Sequence, residues 1–397
     1  MPQARLDELS PADWKGLTIR ALRFNVGGLF YRELKSRRIP MELIPVDLGD
    51  KLRETYRLMA VKNTSLFFHA REVLKSLAGH NLPVIALKGL ALAESIYGDI
   101  ALRPMSDMDL LVKKEDLIRA GRILLTLGYK QDLPAWESML DIYHHLPPFT
   151  NPRGTMIELH WNIVAPDIPI QVDLAGLWER ASMIRIDRGE VLALSPEDSL
   201  LHLSLHAGYH LPTGLGLLPL CDMAGLIKAS AVPIDWPTLA ARAARWGGHK
   251  CVYLMLLLVR ELMGAAPPDS ILSGLKPDDY QPVFLAETLE QVFNGYPSGP
   301  LLRKNIGKLT KIDKAAGLKG KCSALLKAAF PPREYLATIY PVSISSPKIY
   351  LCYLDRLSRL AAHYAIVLLR LFRRDPSSLH AVHQEHRLSE VCDWMFS

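Results

Sequence analysis

The sequence predicts an α/β domain set between helical regions. Helical patterning fills most of the first 80 residues. Short apolar runs then alternate with amphipathic segments over roughly 82–195, and helical periodicity returns after Pro196 and persists. On this basis the chain divides into an N-terminal helical segment (1–80), an α/β domain (81–195), a helical domain (196–330), and C-terminal helices with a tail (331–397).

Each element has a local justification. Segments 10–36 and 48–80 read as helices. In the second, Leu58, Val61, Leu66, Val73, Leu74 and Leu77 recur at spacings near three and four. Gly79, Asn81 and Pro83 then punctuate the chain. "LPVIALKG" (82–89) reads as a buried strand and "LALAESIYG" (90–98) as a helix closed by Gly98. "DMDLLV" (107–112) is a second strand, and "KEDLIRAGRILLTLGY" (114–129) is an amphipathic helix stopped by Gly128. "TMIELHWNIV" (155–164) and "VLALS" (191–195) complete the predicted strands. Helices are expected over 196–211, 217–230, 236–247, 250–264 and 282–293, with two more near "PREYLATIYP" and 348–373.

Composition bounds the function. The chain has 397 residues, 49% hydrophobic and 22% charged, ordinary for a globular protein. The net charge of +6 suits an anionic ligand such as a nucleoside triphosphate without demanding nucleic acid, and no nucleic-acid partner is expected. Five scattered cysteines without a CxxC predict neither a disulfide framework nor a zinc knuckle, so a reducing cytoplasm is the expected location. The first residues lack the apolar core of a signal peptide. The most apolar windows, 251–259 and 365–372, fall short of the roughly 20 residues a membrane span needs. Peripheral attachment through Arg370, Arg373 and Arg374 is a lesser alternative. The basic stretch 303–321 is either a solvated face or a patch for an anionic partner.

The informative stretch is "LRPMSDMDLLV" (102–112). On a strand Asp107 and Asp109 project to one face, with Met108, Leu110 and Val112 on the other. Two such carboxylates repel and raise each other's pKa, unless a divalent cation turns the cost into binding. Mg²⁺, or Mn²⁺ in its place, prefers carboxylate oxygens and commonly completes its shell with phosphates and water. A lone D-x-D is more often a solvated pair, but its surroundings point to phosphate chemistry. Lys88-Gly89 sits at a strand-to-helix junction, where backbone amides and an ammonium can meet a triphosphate. Arg103 and Ser106 stand on the loop before the pair. Glu158, sharing a strand face with Met156 and His160, is a third carboxylate that needs a partner inside an apolar run.

The order K-G, then R-P-x-S-D-x-D-L-L-V, then E-L-H-W resembles bacterial nucleotidyltransferase-like proteins of the DNA polymerase β-type superfamily. The resemblance runs from about residue 55 to 370. It takes in "LLHLSLHAGYH", "LPLCDMAGLI" and "FPPREYL". It implies a small mixed sheet with flanking helices, an α+β variant of the fold, beside a large helical region. It also implies metal-dependent transfer of a nucleoside monophosphate from a triphosphate to an acceptor, with release of pyrophosphate. By matching position, Asp107 and Asp109 would be metal ligands and Glu158 the third catalytic carboxylate. Lys88, Gly89, Arg103 and Ser106 would bind the nucleotide. The chain departs from the superfamily's usual Gly-Gly or Gly-Ser phosphate turn, which admits an altered or silent activity.

Other residues carry weaker signals. His202, His206 and His210 fall on one helix face, as a packed or cleft-lining surface or with a substrate-side role. Asp222 is expected to pair with one of them or to line the acceptor pocket. His144 and His145 are expected on an exposed loop. His160 is either a satisfied strand histidine or an orienter of a carboxylate or phosphate. No P-loop or GxGxxG motif is present. The expected function is a nucleotidyltransferase whose acceptor is a small molecule, peptide or protein. The alternatives are a silent nucleotide-binding scaffold and a protein-nucleotidylating enzyme of toxin–antitoxin type.

Overall fold

The computed structural model describes residues 8–397 except 38, 132–139, 141–142, 188, 230–231, 266, 373–375 and most of 295–345. The basic stretch 303–321 lies outside the described residues apart from Lys319, as do Arg373, Arg374 and the side chain of Arg370.

The strands are β1 (Ile85–Ala86), β2 (Asp107–Leu111), β3 (Phe149–Thr150), β4 (Met156–His160), β5 (Ser182–Ile186) and β6 (Gly189–Ala193). They form one mixed sheet in the order β3-β4-β2-β1-β6-β5. β2 runs parallel to β4, with Asp109 opposite Glu158, and antiparallel to β1. β1 runs parallel to β6, and the two edges close as antiparallel pairs. β1, β2 and β4 lie within the runs expected from the sequence, and β6 overlaps the expected run 191–195 but begins two residues earlier. β3 has only two residues, and β5 pairs with β6 through a turn in which Asp187 takes φ 53°.

Around the sheet stand α1 (Pro11–Arg23), α2 (Gly27–Ser36), α3 (Val46–Gly79), α4 (Lys88–Ser95), α5 (Leu117–Thr126) and α6 (Leu174–Arg180). The helical half contains α7 (Pro196–Gly214), α8 (Leu218–Ala229), α9 (Trp236–Trp246), α10 (His249–Met263), α11 (Asp269–Leu275), α12 (Pro282–Asn294), α13 (Ile349–Phe372) and α14 (Pro376–Met395). The expected helix over 10–36 is split: Asn25 adopts φ 57°, and Gly28 packs where a Cβ would crowd Ala101 O. Among the described residues no helix is long and apolar enough to cross a membrane.

Strand alternation sorts the core. Met108, Leu110, Val112, Ile157 and Leu159 pack with α3 and α5 on one face. Ile85 and Leu111 belong to the core formed with α7, α8 and α10 on the other. Asp107, Asp109, Glu158 and His160 therefore point toward the helical half. Burying their neighbours fixes this choice, because a one-residue slip would put the carboxylates into the α3–α5 core.

A buried ionic joint anchors α7. Asp198 is fully buried in its first turn and accepts from Arg180 Nε at 2.8 Å and Arg242 Nη1 at 2.9 Å, tying α6 and α9 to α7. Its amide donates to Ser195 Oγ, the N-cap, at 3.2 Å. Asp198→Ala strands two arginines, so the urea midpoint should fall by the equivalent of about 3 kcal/mol. An unchanged midpoint would show that solvent already screens the joint.

Candidate active site

The loop that leads into β2 is held by α3. Asn63, buried on that helix, donates through Nδ2 to Ile100 O and, at 2.9 Å, to Arg103 O. Tyr56 OH donates to Asp99 Oδ2 at 2.7 Å, and Asp99 Oδ1 accepts from Ala101 N. The sheet then sets the reacting face. Leu87 N donates to Asp109 O at 3.0 Å, so the ladder ends one residue before Lys88. Lys88 turns into α4 with φ 45°, a conformation that costs a side-chain-bearing residue about 1–2 kcal/mol. From there its Nζ reaches Asp109 Oδ1 at 3.1 Å. A Cβ on Gly89 would collide with Arg103 Nη1 and crowd Met105, so only glycine lets this turn pack.

Asp109 is buried and faces two basic side chains. Besides Lys88, His160 Nε2 stands 2.9 Å from the same Oδ1, and 3.4 Å from Glu158 Oε2. Burial pushes the Asp109 carboxyl up, but Lys88 and His160 together outweigh it and hold the group well below the usual range. For Glu158, burial likewise works upward and is outweighed by the bond to His160 and the charge of His145. His160 is drawn upward against its own burial by Asp109 and Glu158. Asp107 behaves oppositely. Its carboxylate accepts from Ser106 Oγ at 3.0 Å, yet burial and the charges of Asp109 and Glu158 push it up. The like-charge penalty expected from the sequence thus falls on Asp107.

A cleft of about 870 Å³ opens over these groups. Asp107, Asp109 and Glu158 share its wall with Lys88, Arg103 and Ser106. Arg23 from α1 and Lys62 from α3 line it too, two cations that no motif in the sequence singled out. The structure thus brings the predicted polar residues of the site together in one cleft, with Gly89 packed behind Arg103. A second cleft of about 710 Å³ shares Lys88, Glu158, His206 and His210 with the first, and adds His144, His145 and His160.

Two expectations change. Asp222 does not pair with a histidine: it accepts from Arg103 Nη2 at 2.8 Å and Tyr97 OH at 2.7 Å. Arg103 therefore lines the cleft from a position fixed by α8. His144 and His145 are not on an exposed loop. Trp161 N donates to His144 O at 2.9 Å and Leu146 N to Leu159 O at 2.8 Å, so the segment pairs along β4 and its imidazoles lie against His160. Burial pushes His144 down to about 2. His202 is buried and pushed down to about 3 by burial, while His206 and His210, with ring centroids 4.4 Å apart and planes tilted by 50°, reach the clefts.

The donor set fits a divalent cation. One ligand atom each from Asp109, Glu158 and His160 lie within 4.8 Å of one another. Asp107 stands beside them, its carboxyl pushed up first by burial and then by the charges of Asp109 and Glu158.

Residues 10–264 match a family described as uncharacterised nucleotidyltransferase. No curated protein matches the chain in sequence. Among solved structures, the solution structure of the antibiotic-resistance factor ANT(2'')-Ia aligns at 13% identity and a TM-score of 0.34, covering 46% of this chain and 92% of that one, too loosely to bear on the site. The family match spans the helices that hold the DxD loop, the whole sheet and the first four helices beyond it, and on that extent the chain belongs to the uncharacterised nucleotidyltransferase family.

Proposed function

We propose that the protein transfers a nucleoside monophosphate from a triphosphate to an acceptor hydroxyl, releasing pyrophosphate. The observation that carries this is the convergence of three carboxylates, Asp107, Asp109 and Glu158, on one wall of a cleft that also holds Lys88, Arg103, Lys62 and Arg23. The acidic wall suits a divalent cation, and the basic residues suit the charge of a triphosphate.

Asp107, Asp109 and Glu158 would hold Mg²⁺ or Mn²⁺. When bound, the cation supplies Lewis-acid stabilisation of phosphoryl charge and lowers the pKa of a coordinated hydroxyl. The protein's own groups do the rest. Lys88, with the amides at the start of α4 near Gly89, positions and neutralises the β- and γ-phosphates. Arg103, held by Asp222, presents a fixed guanidinium edge, and Ser106 a hydroxyl. The acceptor oxygen attacks the α-phosphorus, the bond to the β-phosphate oxygen breaks, and the acceptor proton passes to a neighbouring base or water. His206 and His210, which line both clefts, stand where an acceptor would meet the nucleotide. The acceptor is a small molecule, peptide or protein.

The ion pair between Lys88 and Asp109 favours one other reading, a silent nucleotide-binding scaffold in which the ammonium keeps the place of a cation. Pyrophosphate release separates the two. Purified protein is given each of the four ribonucleoside triphosphates with Mg²⁺ or Mn²⁺ and a panel of acceptors. Release should occur with at least one triphosphate and fall at least about 100-fold in Asp107→Asn and in Asp109→Asn. Calorimetry showing metal-dependent triphosphate binding without turnover on any acceptor would favour the scaffold.

The two aspartates should differ in stability. Asp109→Asn leaves Lys88 and His160 without their counterion, and unfolding should become easier by about 2–3 kcal/mol at neutral pH. Asp107→Asn removes a repelled charge and should leave the metal-free protein as stable as wild type or more so. The pH dependence has opposite signs. The folded Asp109 carboxyl lies below its unfolded value, so its contribution is present at neutral pH and vanishes as pH falls through the folded pKa. The folded Asp107 carboxyl lies above its unfolded value, so its contribution is present in acid and is lost as pH rises. Urea melts of the two variants at pH 7 check the pair, and equal destabilisation would contradict this charge assignment.

A further inference from the structure

We propose that His160 is itself a ligand, through Nε2, of the cation held by Asp109 and Glu158, which makes the centre a nitrogen–oxygen site for a first-row transition-metal ion such as Mn²⁺ ahead of Mg²⁺. This rests on the nucleotidyltransferase reading above and extends it to the identity of the metal.

The geometry is specific about which nitrogen is involved. Nε2 lies 2.9 Å from Asp109 Oδ1 and 3.4 Å from Glu158 Oε2. A histidine that merely orients one carboxylate approaches it from outside, on the side away from the other ligand. Here the same nitrogen faces both acids, and a single N–H cannot point well at two acceptors. Metal–ligand bonds of about 2.1 Å place neighbouring donors roughly 3.0 Å apart in an octahedron and roughly 3.4 Å apart in a tetrahedron. The two separations from Nε2 fall in this range, and the three donor atoms lie within 4.8 Å of one another.

Nδ1 of His160 is buried and has no hydrogen-bond partner among the described residues. A cation can take the place of the Nε2 proton, which leaves for solvent, and the hydrogen bond lost is the one to a carboxylate that the same cation binds. The ring is held over the carboxylates by backbone pairing on both sides: Leu111 faces His160 across β2, and His145 bridges it from the other edge. Among the described residues, this is the one trio of histidine, cysteine and acidic side chains arranged closely enough to hold an ion.

An imidazole changes the selectivity of the site. Mg²⁺ binds oxygen and gives up water reluctantly, whereas Mn²⁺ and the later first-row ions accept imidazole more readily. Pulsed EPR of the Mn²⁺-loaded full-length protein reads this directly. Wild type should show the modulation of a directly bound ¹⁴N, replaced by the ¹⁵N pattern when histidine is supplied as ¹⁵N-histidine. His160→Gln should lose the modulation and bind Mn²⁺ roughly 10–100-fold more weakly, with a smaller loss for Mg²⁺. The labelled wild type needs no variant to fold. Mn²⁺ bound without nitrogen modulation, or modulation that survives in His160→Gln, would overturn the assignment. If such binding still disappears in Asp109→Asn, the carboxylate reading of the site stands without His160. Absence of any Mn²⁺ or Mg²⁺ binding to wild type would overturn both.

Discussion

The site depends on keeping one ionised carboxylate buried. Asp109 sits in the middle of a central strand, flanked by neighbours that belong to the cores on either face of the sheet. Leaving it unpaired there would cost several kcal/mol. Lys88 and His160 offset that cost from two directions, one from the turn after β1 and the other from the parallel neighbour β4. Each partner is placed by backbone pairing. The antiparallel register of β1 with β2 brings Lys88 to Asp109, and the parallel register of β2 with β4 brings Glu158 and His160. The left-handed backbone at Lys88 is strain this arrangement has to hold, and the glycine that follows is the residue that fits beneath Arg103 and Met105.

From this the electrostatics divide. The Asp109 carboxyl is held low by its partners, whereas that of Asp107, half-buried at the start of the same strand, is pushed up by burial and by its acidic neighbours. A cluster with one unrelieved acid beside satisfied ones is poised to gain a cation. The helical half contributes by position. The Asp198 joint fixes the start of α7, which carries His206 and His210 to the junction of the two clefts. Asp222 on α8 fixes Arg103 at the edge of the first. The helices thus form the far wall of the site and set the stance of a residue on the near one.

Much of this was legible in the sequence because it is local. The D-x-D spacing, with apolar residues between, fixes which side chains share a strand face. Gly after Lys88 marks the turn, and the three-and-four spacing of apolar residues marks α3 and α5. Glu158 stood out because a carboxylate in an apolar run needs a partner. The rest depended on long-range pairing. No spacing says that the chain near His144 runs back along β4, so "YHHLPPF" looked like a loop when it lays imidazoles on the site. Asp222 met Arg103, 119 residues away, rather than the histidines nearer in sequence. Arg23 and Lys62 belong to helices whose periodicity speaks only of packing, and their place on the cleft follows from how those helices dock. The two-residue β3 is too short to show alternation.

The central claim is that these carboxylates bind a triphosphate through a divalent cation. Its most direct measurement is calorimetric titration of a non-hydrolysable triphosphate analogue into wild type and Glu158→Gln, with Mn²⁺ and with the metal chelated. The account predicts one-to-one binding to wild type that requires the metal and weakens at least about 10-fold in the variant. Equal binding with and without the metal, or full binding by Glu158→Gln, would contradict it.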